Sequence, residues 1–258
     1  MGPVKMRRLR LSSQLARLSA LFGMLLASSP AHAYRPFDGT DAGVADVGEF
    51  ELELGTLGYL REGRERSWLA PAITANWGLG NGRELVIEGK GKTLDGELAP
   101  GAARVSLVDA ALSLKQVHRR GILQDEAGAS IASECGIFLP GIHADHGTGA
   151  SCSAIVSQRW LSLTVHFNAA LAYNRQHKWS PFLGAIVEGP AIGNVRPVAE
   201  VFVEHETGTP NTVSALAGLI WKRSANLSFD VGIRHARVAD ISTNELRLGL
   251  TWTTSLTN

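Results

Sequence analysis

The chain is poor in cysteine, with only Cys135 and Cys152 among 258 residues, and neither follows the N-terminal apolar run. A lipid-modified N-terminus therefore finds no support. After residue 33 no uninterrupted apolar run approaches the roughly 18 residues that a membrane-crossing helix needs, which excludes transmembrane helices. There is no phosphate-cradling glycine loop, no dinucleotide fingerprint and no Ser within a nucleophile motif. An excess of basic charge is also missing. Removing residues 1–33 takes away five of the 25 Lys and Arg and none of the 24 Asp and Glu, so the remainder carries four more acids than bases. Nucleic acid is not an expected partner of such a chain.

The N-terminus sets the compartment. Lys5, Arg7, Arg8, Arg10 and Arg17 form a basic region, Leu18 to Ala27 a short apolar core, and Ala31-His32-Ala33 a small-residue cleavage site. This pattern predicts a Sec-type secretory signal peptide over residues 1–33. The Arg7-Arg8 pair lacks the neighbours of a twin-arginine signal. Residues 34–46 are Gly- and Asp-rich without periodicity and read as an N-terminal lead-in to a barrel over 47–258.

What the rest of the chain holds is alternation. In Leu161 to Asn174 every odd position is apolar and every even position is small or polar, the signature of one long strand with an oily and a wet face. Its length exceeds the five or six residues usual in soluble sheets and suits a tilted bilayer crossing of about nine to eleven. The pattern recurs in Val47–Leu60, Leu69–Trp77 and around Leu85–Ile87, Val108–Leu114 and Ile131–Leu139. It continues, most weakly, in Ser151–Gln158, and after the long strand in Leu183–Val187, Val195–Val203, Val213–Trp221, Leu227–Ile233 and Leu246–Trp252. Pro71 predicts a bulge or break in the second segment. Tight turns are expected at Gly80-Asn81-Gly82, Arg159-Trp160 and Lys222–Asn226, and longer loops near Gly91–Ala103 and Leu139–Gly149. The stretch His118–Gly128 is an exception, long on the side where turns should be short. The expected fold is all-β: an antiparallel up-and-down transmembrane barrel of about twelve strands, with both termini in the periplasm.

Aromatic residues fall in two groups. Trp77, Trp160, Trp221 and Trp252 lie where strands approach the periplasmic end, and Tyr59, Trp68, Tyr173 and Trp179 near the other, as two interfacial girdles would require. The polar faces assign twelve acids to the lumen (Glu49, Glu51, Glu53, Glu84, Glu88, Asp109, Glu134, Glu188, Glu200, Glu204, Asp230, Glu245) and five bases (Lys90, Lys115, Arg196, Arg234, Arg247). Two readings fit this load: a salt-bridge network that fills the interior, or an acid-biased channel for cationic and neutral solutes. Cys135 and Cys152 flank one loop symmetrically, which suits either a disulfide or two free thiols. His143, Asp145 and His146 in that loop lack the spacing of a metal signature, and no cofactor is expected. His166 and Asn168, with Ser162 and Thr164 near, admit a lipid acyl hydrolase, though a polar lumen accounts for them more simply.

Three segments carry a resemblance. Pro36 to Gly55 (PFDGTDAGVADVGEFELELG), Pro71 to Gly89 (PAITANWGLGNGRELVIEG) and Phe229 to Trp252 resemble the opening, the second hairpin and the closing hairpin of the meta-pathway phenol-degradation family of outer-membrane barrels. The resemblance implies a transport-like pore linked to aromatic catabolism and no catalytic residue set. Unlike many such barrels the chain does not end on its last strand aromatic, Trp252, but runs on to Asn258. The expected setting is the bacterial outer membrane, with outer-membrane lipid, the barrel assembly machinery and a small solute as partners to a monomer. A plugged structural barrel and a soluble periplasmic β-sandwich are the competing readings.

Overall fold

A computed structural model describes residues 35–96, 98 and 102–256. The expected signal peptide lies outside the described residues. The chain forms twelve strands: β1 (Glu49–Glu62), β2 (Glu65–Gly80), β3 (Arg83–Asp95), β4 (Val105–Arg119), β5 (Ser130–Phe138), β6 (Gly149–Trp160), β7 (Leu163–Tyr173), β8 (Trp179–Glu188), β9 (Val195–Glu204), β10 (Thr212–Ser224), β11 (Leu227–Val238) and β12 (Ile241–Ser255). Each pairs antiparallel with its neighbours in sequence, and β1 pairs with β12, so the sheet closes into an all-β barrel. Closure leaves no unpaired sheet edge, the condition for a sheet to cross lipid.

The period-two pattern decides which face is which, and the barrel is inverted relative to a soluble domain. Lys115, Glu200 and Glu53 are 1–2 % exposed, whereas Ile233, Leu183 and Ile87 are 51–66 % exposed on the outer wall. Only lipid makes that outer surface favourable. Trp77, Trp160, Trp221 and Trp252 stand outward toward the end that carries both chain termini. Tyr59 meets Trp68 (ring centroids 5.0 Å) and Tyr173 meets Trp179 (5.2 Å) toward the opposite end.

Three local expectations are corrected. Leu161 and Ser162 form the β6–β7 turn, and Arg159 and Trp160 complete β6. Leu161 takes a left-handed conformation (φ 55) and is fully exposed, because a two-residue hairpin requires positive φ at its first corner whatever the alternation suggests. Leu69 turns into the lumen: the break at Pro71 lies between Leu69 and Ala72 and resets the alternation. Ala110 was expected to face outward. Asp109 (φ 54) bulges beside it, and the Ala110 carbonyl accepts hydrogen bonds from Leu139 and Arg175, which cover it.

Replacing Leu161 by Asn, which tolerates the left-handed region, should raise unfolding stability by about 1 kcal/mol, and Leu161→Val should lower it. Urea unfolding in detergent reads both, and identical midpoints would refute the strain.

Candidate functional site

The lumen is where the polar faces converge, and it is not empty of chain. Residues 35–46 enter it, cross it and leave at the terminus-bearing end to begin β1. Arg35 Nε lies 3.4 Å from Asp230. Arg247 donates to the Pro36 carbonyl (2.6 Å) and to Asp38 (2.9 Å), and Arg234 Nε lies 3.2 Å from the other Asp38 oxygen. Glu200 accepts the backbone N–H of Asp38 (2.8 Å) and of Gly39 (2.6 Å). Asn168 brackets Thr40, accepting its N–H at 3.0 Å and donating to its carbonyl at 2.8 Å. Lys115 donates to the Thr40 hydroxyl (3.2 Å) and stands 3.7 Å from Asp41. Ser157 accepts the Ala42 N–H, and Glu84 accepts that of Ala45. The lead-in expected from composition is therefore a threaded plug, held by side chains of β3, β4, β6, β7, β9, β11 and β12.

The wall makes room for it with glycine. Gly55, Gly78, Gly218, Gly232 and Gly249 all occupy inward positions. A Cβ at Gly78 would lie 1.8 Å from the Asp46 carbonyl oxygen, at Gly249 2.3 Å from Arg35, and at Gly232 2.9 Å from Pro36. This was the available signal: five glycines on otherwise side-chain-bearing inner faces mark where backbone approaches.

The long connection after β4 closes the same end. Its single 3-10 turn, Ile122–Gln124, buries Leu123 against Ala42, Ala132 and Ile155, and Gln124 donates to the Ala42 carbonyl at 3.1 Å. The irregularity seen in His118–Gly128 is thus a lid over the foot of the plug.

On the opposite side of the plug a cavity of about 480 Å³ opens toward the other mouth. Its lining mixes Phe37, Phe138 and Phe182 with charged groups of both signs, including Glu53, Glu84, Glu88, Glu134, Lys90 and Arg175. Lys90 and Asp109 lie 3.3 Å apart there. Glu245 bridges Arg234 (3.3 Å) and Arg247 (2.8 Å), and Glu204 accepts from Ser180 at 2.6 Å. Glu51 and Glu53 both take hydrogen bonds from Asn76, while Glu49 caps the Asp46 N–H at 2.9 Å.

His166 is buried beneath the plug. Its Nδ1 lies 2.7 Å from Ser157 Oγ, and its Nε2 stands 3.7 Å from Glu188, which also pairs with Arg196. Ser157 is itself fully buried and engaged with Ala42, so this set is shut off from the lipid-facing wall. Thr164 is turned inward and Ser162 lies in the turn. The side chains that admitted acyl transfer hold the segment instead. Cys135 and Cys152 are directly opposed on the outer wall and joined by a disulfide.

Burial pushes the Asp38 carboxyl up, but the Arg247 and Arg234 guanidiniums outweigh that effect and hold it below the ordinary carboxylate range. Ionised Asp38 therefore stabilises the seated plug above about pH 4, and this contribution is lost as pH falls through the depressed value. Backbone hydrogen exchange at Gly39, Thr40 and Ala42, corrected for its intrinsic pH dependence, should accelerate by about fivefold from near pH 7 to near pH 3 and further below it. Asp38→Asn should exchange fast already near neutrality, and an unchanged neutral rate in that variant would remove Asp38 from the latch.

The chain matches no protein-family profile and no curated protein. Among solved structures it is similar to an outer membrane channel from Pseudomonas putida F1, with a TM-score of 0.57, 9% identity, 84% of this chain covered and 100% of that one. It is similar also to the NanC porin (TM-score 0.56, 7% identity, 79% and 98% covered). A third is the KdgM porin, also seen with disordered oligogalacturonate (TM-score 0.50, 12% identity, 78% and 98% covered). At these identities the likeness is one of fold: the chain is built as those outer-membrane barrels are.

Proposed function

We propose that the protein is an outer-membrane channel for small polar solutes, whose path is narrowed by its own N-terminal segment. The observation that carries this reading is the enclosed polar lumen, which keeps an open cavity of about 480 Å³ on one side of the plug. A lumen meant only to be filled would need no such space. Acids outnumber bases on the inner faces, which favours cationic and neutral solutes over anions. The three phenylalanines in the cavity wall offer apolar contact to an aromatic solute, in keeping with the resemblance to the meta-pathway phenol-degradation family. A Sec-type signal cleaved after Ala33, insertion by the barrel assembly machinery and a monomeric state complete the proposal.

A second reading has its own support. The plug is held by ion pairs and hydrogen bonds from seven strands, a degree of interlock that suits a structural barrel with a closed lumen. Under it, Arg247→Gln, which leaves Asp38 and Glu245 to share Arg234 alone and takes the donor from the Pro36 carbonyl, costs about 3 kcal/mol of stability and changes no permeability.

Planar-bilayer recording separates the two. The wild type should show small, cation-preferring steps, and a variant with residues 35–46 replaced by a Gly-Ser linker should conduct roughly threefold more or better. Silence from both proteins, or a clear anion preference, would dispose of the channel.

A further inference from the structure

The cations on the cavity wall are spoken for, and some of its carboxylates are not. Seven acids and five bases line the cavity beside the plug. Arg35 lies against Asp230, Lys90 against Asp109, and Lys115 against Asp41 and Thr40. Arg247 takes Asp38 and Glu245, and Arg175 donates to the Ala110 and Leu139 carbonyls. Glu53, Glu84, Glu88 and Glu134 are left over, and among the described residues none of the four is in an ion pair. They stand on one wall and in register. Glu53 on β1 faces Thr74 on β2, which faces Glu88 on β3. Glu84 on β3 faces Lys115 on β4, which faces Glu134 on β5. Each row sets its two carboxylates two strands apart, about 10 Å, and Glu84 and Glu88 are about 13 Å apart along β3. Val86 lies between these two on the same face, flanked by Asn76 and Ser113. Among the described residues, no three such groups converge as ligands of one metal ion.

A second observation points to an absent donor. Glu84 is 2 % exposed; its Oε2 accepts the Ala45 N–H, and its Oε1 has no hydrogen-bond partner. A buried carboxylate oxygen without a donor is costly, and this one belongs to the wall of an open cavity. Glu134 lies within electrostatic reach of both Glu84 and Glu88, so the like charges repel until a cation comes between them. The group that meets such oxygens is an ammonium. A single charge answers one end of the patch and leaves the other. Two ammonium groups joined by about four methylenes, with a charge-assisted bond of about 2.8 Å at each end, span roughly the distance from Glu84 to Glu88. The methylenes then lie on Val86, the apolar step between the two acids.

We propose that the cavity holds a binding subsite for an aliphatic diammonium solute, with one ammonium on Glu84, the other on Glu88, Glu53 and Glu134 beside them, and the methylene chain on Val86. The subsite rests on the channel reading, which brings the solute in, and it names that channel's solute class.

The test is calorimetric titration of the folded full chain in non-ionic detergent, at low salt and neutral pH. The probes are putrescine, butylamine and magnesium chloride. Putrescine should bind about tenfold more tightly than butylamine or the magnesium ion. Glu84→Gln and Glu88→Gln should each weaken putrescine about tenfold, to the level of butylamine. Asp240→Asn, on a fully exposed residue outside the lumen, should change neither affinity. No binding of putrescine, equal affinity for putrescine and either comparator, or indifference to both glutamate changes would overturn the subsite. Heat-modifiable gel migration on every variant reports folding. Glu88 takes no part in holding the plug among the described residues, so its variant keeps the test open should Glu84→Gln fail to fold. Bilayer recording on the same preparations tells the two readings apart. Putrescine binding by a protein that does not conduct removes the channel and leaves the subsite, and conduction without putrescine preference does the reverse.

Discussion

An enclosed lumen cannot hold a surplus of carboxylates unless something supplies donors to them. The inner faces of the twelve strands carry more acids than bases, and water alone would have to solvate the difference inside a narrow tube. The threaded segment meets that need in an economical way, through its backbone. Glu200 takes two consecutive N–H groups, Glu84 takes another, and Asn168 closes both polar groups of Thr40. Charge-assisted bonds from main-chain amides satisfy carboxylates without importing further charge. The one acid that the segment brings into the arginine cluster, Asp38, goes where the imbalance is opposite, between Arg234 and Arg247. Wall and segment thus complete each other, and neither is electrostatically sensible alone.

The strands were legible because their physics is local. Alternation over a dozen residues is enough to place each one, and Pro71 announced its own bulge. Errors occurred where a backbone conformation overrode the side-chain pattern. At Leu161 the hairpin corner needed positive φ, and at Asp109 a left-handed residue inserted a bulge with nothing in its neighbours to signal it. The plug was not legible because the bonds that seat it against the wall are long-range. Asp38 and Glu200 are 162 residues apart, Thr40 and Asn168 128, and Ala42 and Ser157 115. A Gly- and Asp-rich stretch without period reads as a linker until the wall that receives it is known. The inward glycines were its trace in the sequence, and their meaning depends on the closed barrel.

The stretch after β4 makes the same point at smaller scale. Its excess length on the short-turn side had no local explanation. In the fold, Leu123 reaches Ala42 and Gln124 reaches the Ala42 carbonyl, so the extra residues exist to cover the place where the plug turns toward β1. The polar trio Ser157, His166 and Glu188 lies under the same spot. Its arrangement resembles catalytic chemistry by residue type only. A serine whose oxygen already accepts an amide proton from Ala42, in a space with no exposure, has no face left to offer an ester.

The segment's position in the chain bears on how it is seated. It precedes β1, yet its partners lie on strands up to β12, and β1 itself pairs with β12 only when the sheet closes. Glu200, Asn168 and Lys115 stand around the lumen from one another, so no open sheet presents them together. The residues that precede β1 are therefore among the last to find their contacts, and seating them is coupled to closure rather than preceding it. Gly78 tightens that coupling, because the backbone of Asp46 passes against it just before β1 begins. On the proposed channel reading, a path through the lumen has a mechanical origin. The foot of the plug is fixed by continuity with the wall and by the lid over Ala42. The stretch from Arg35 to Thr40 is tied only by side chains, most of them ionic. Widening the passage needs that stretch alone to move, with the barrel unchanged around it.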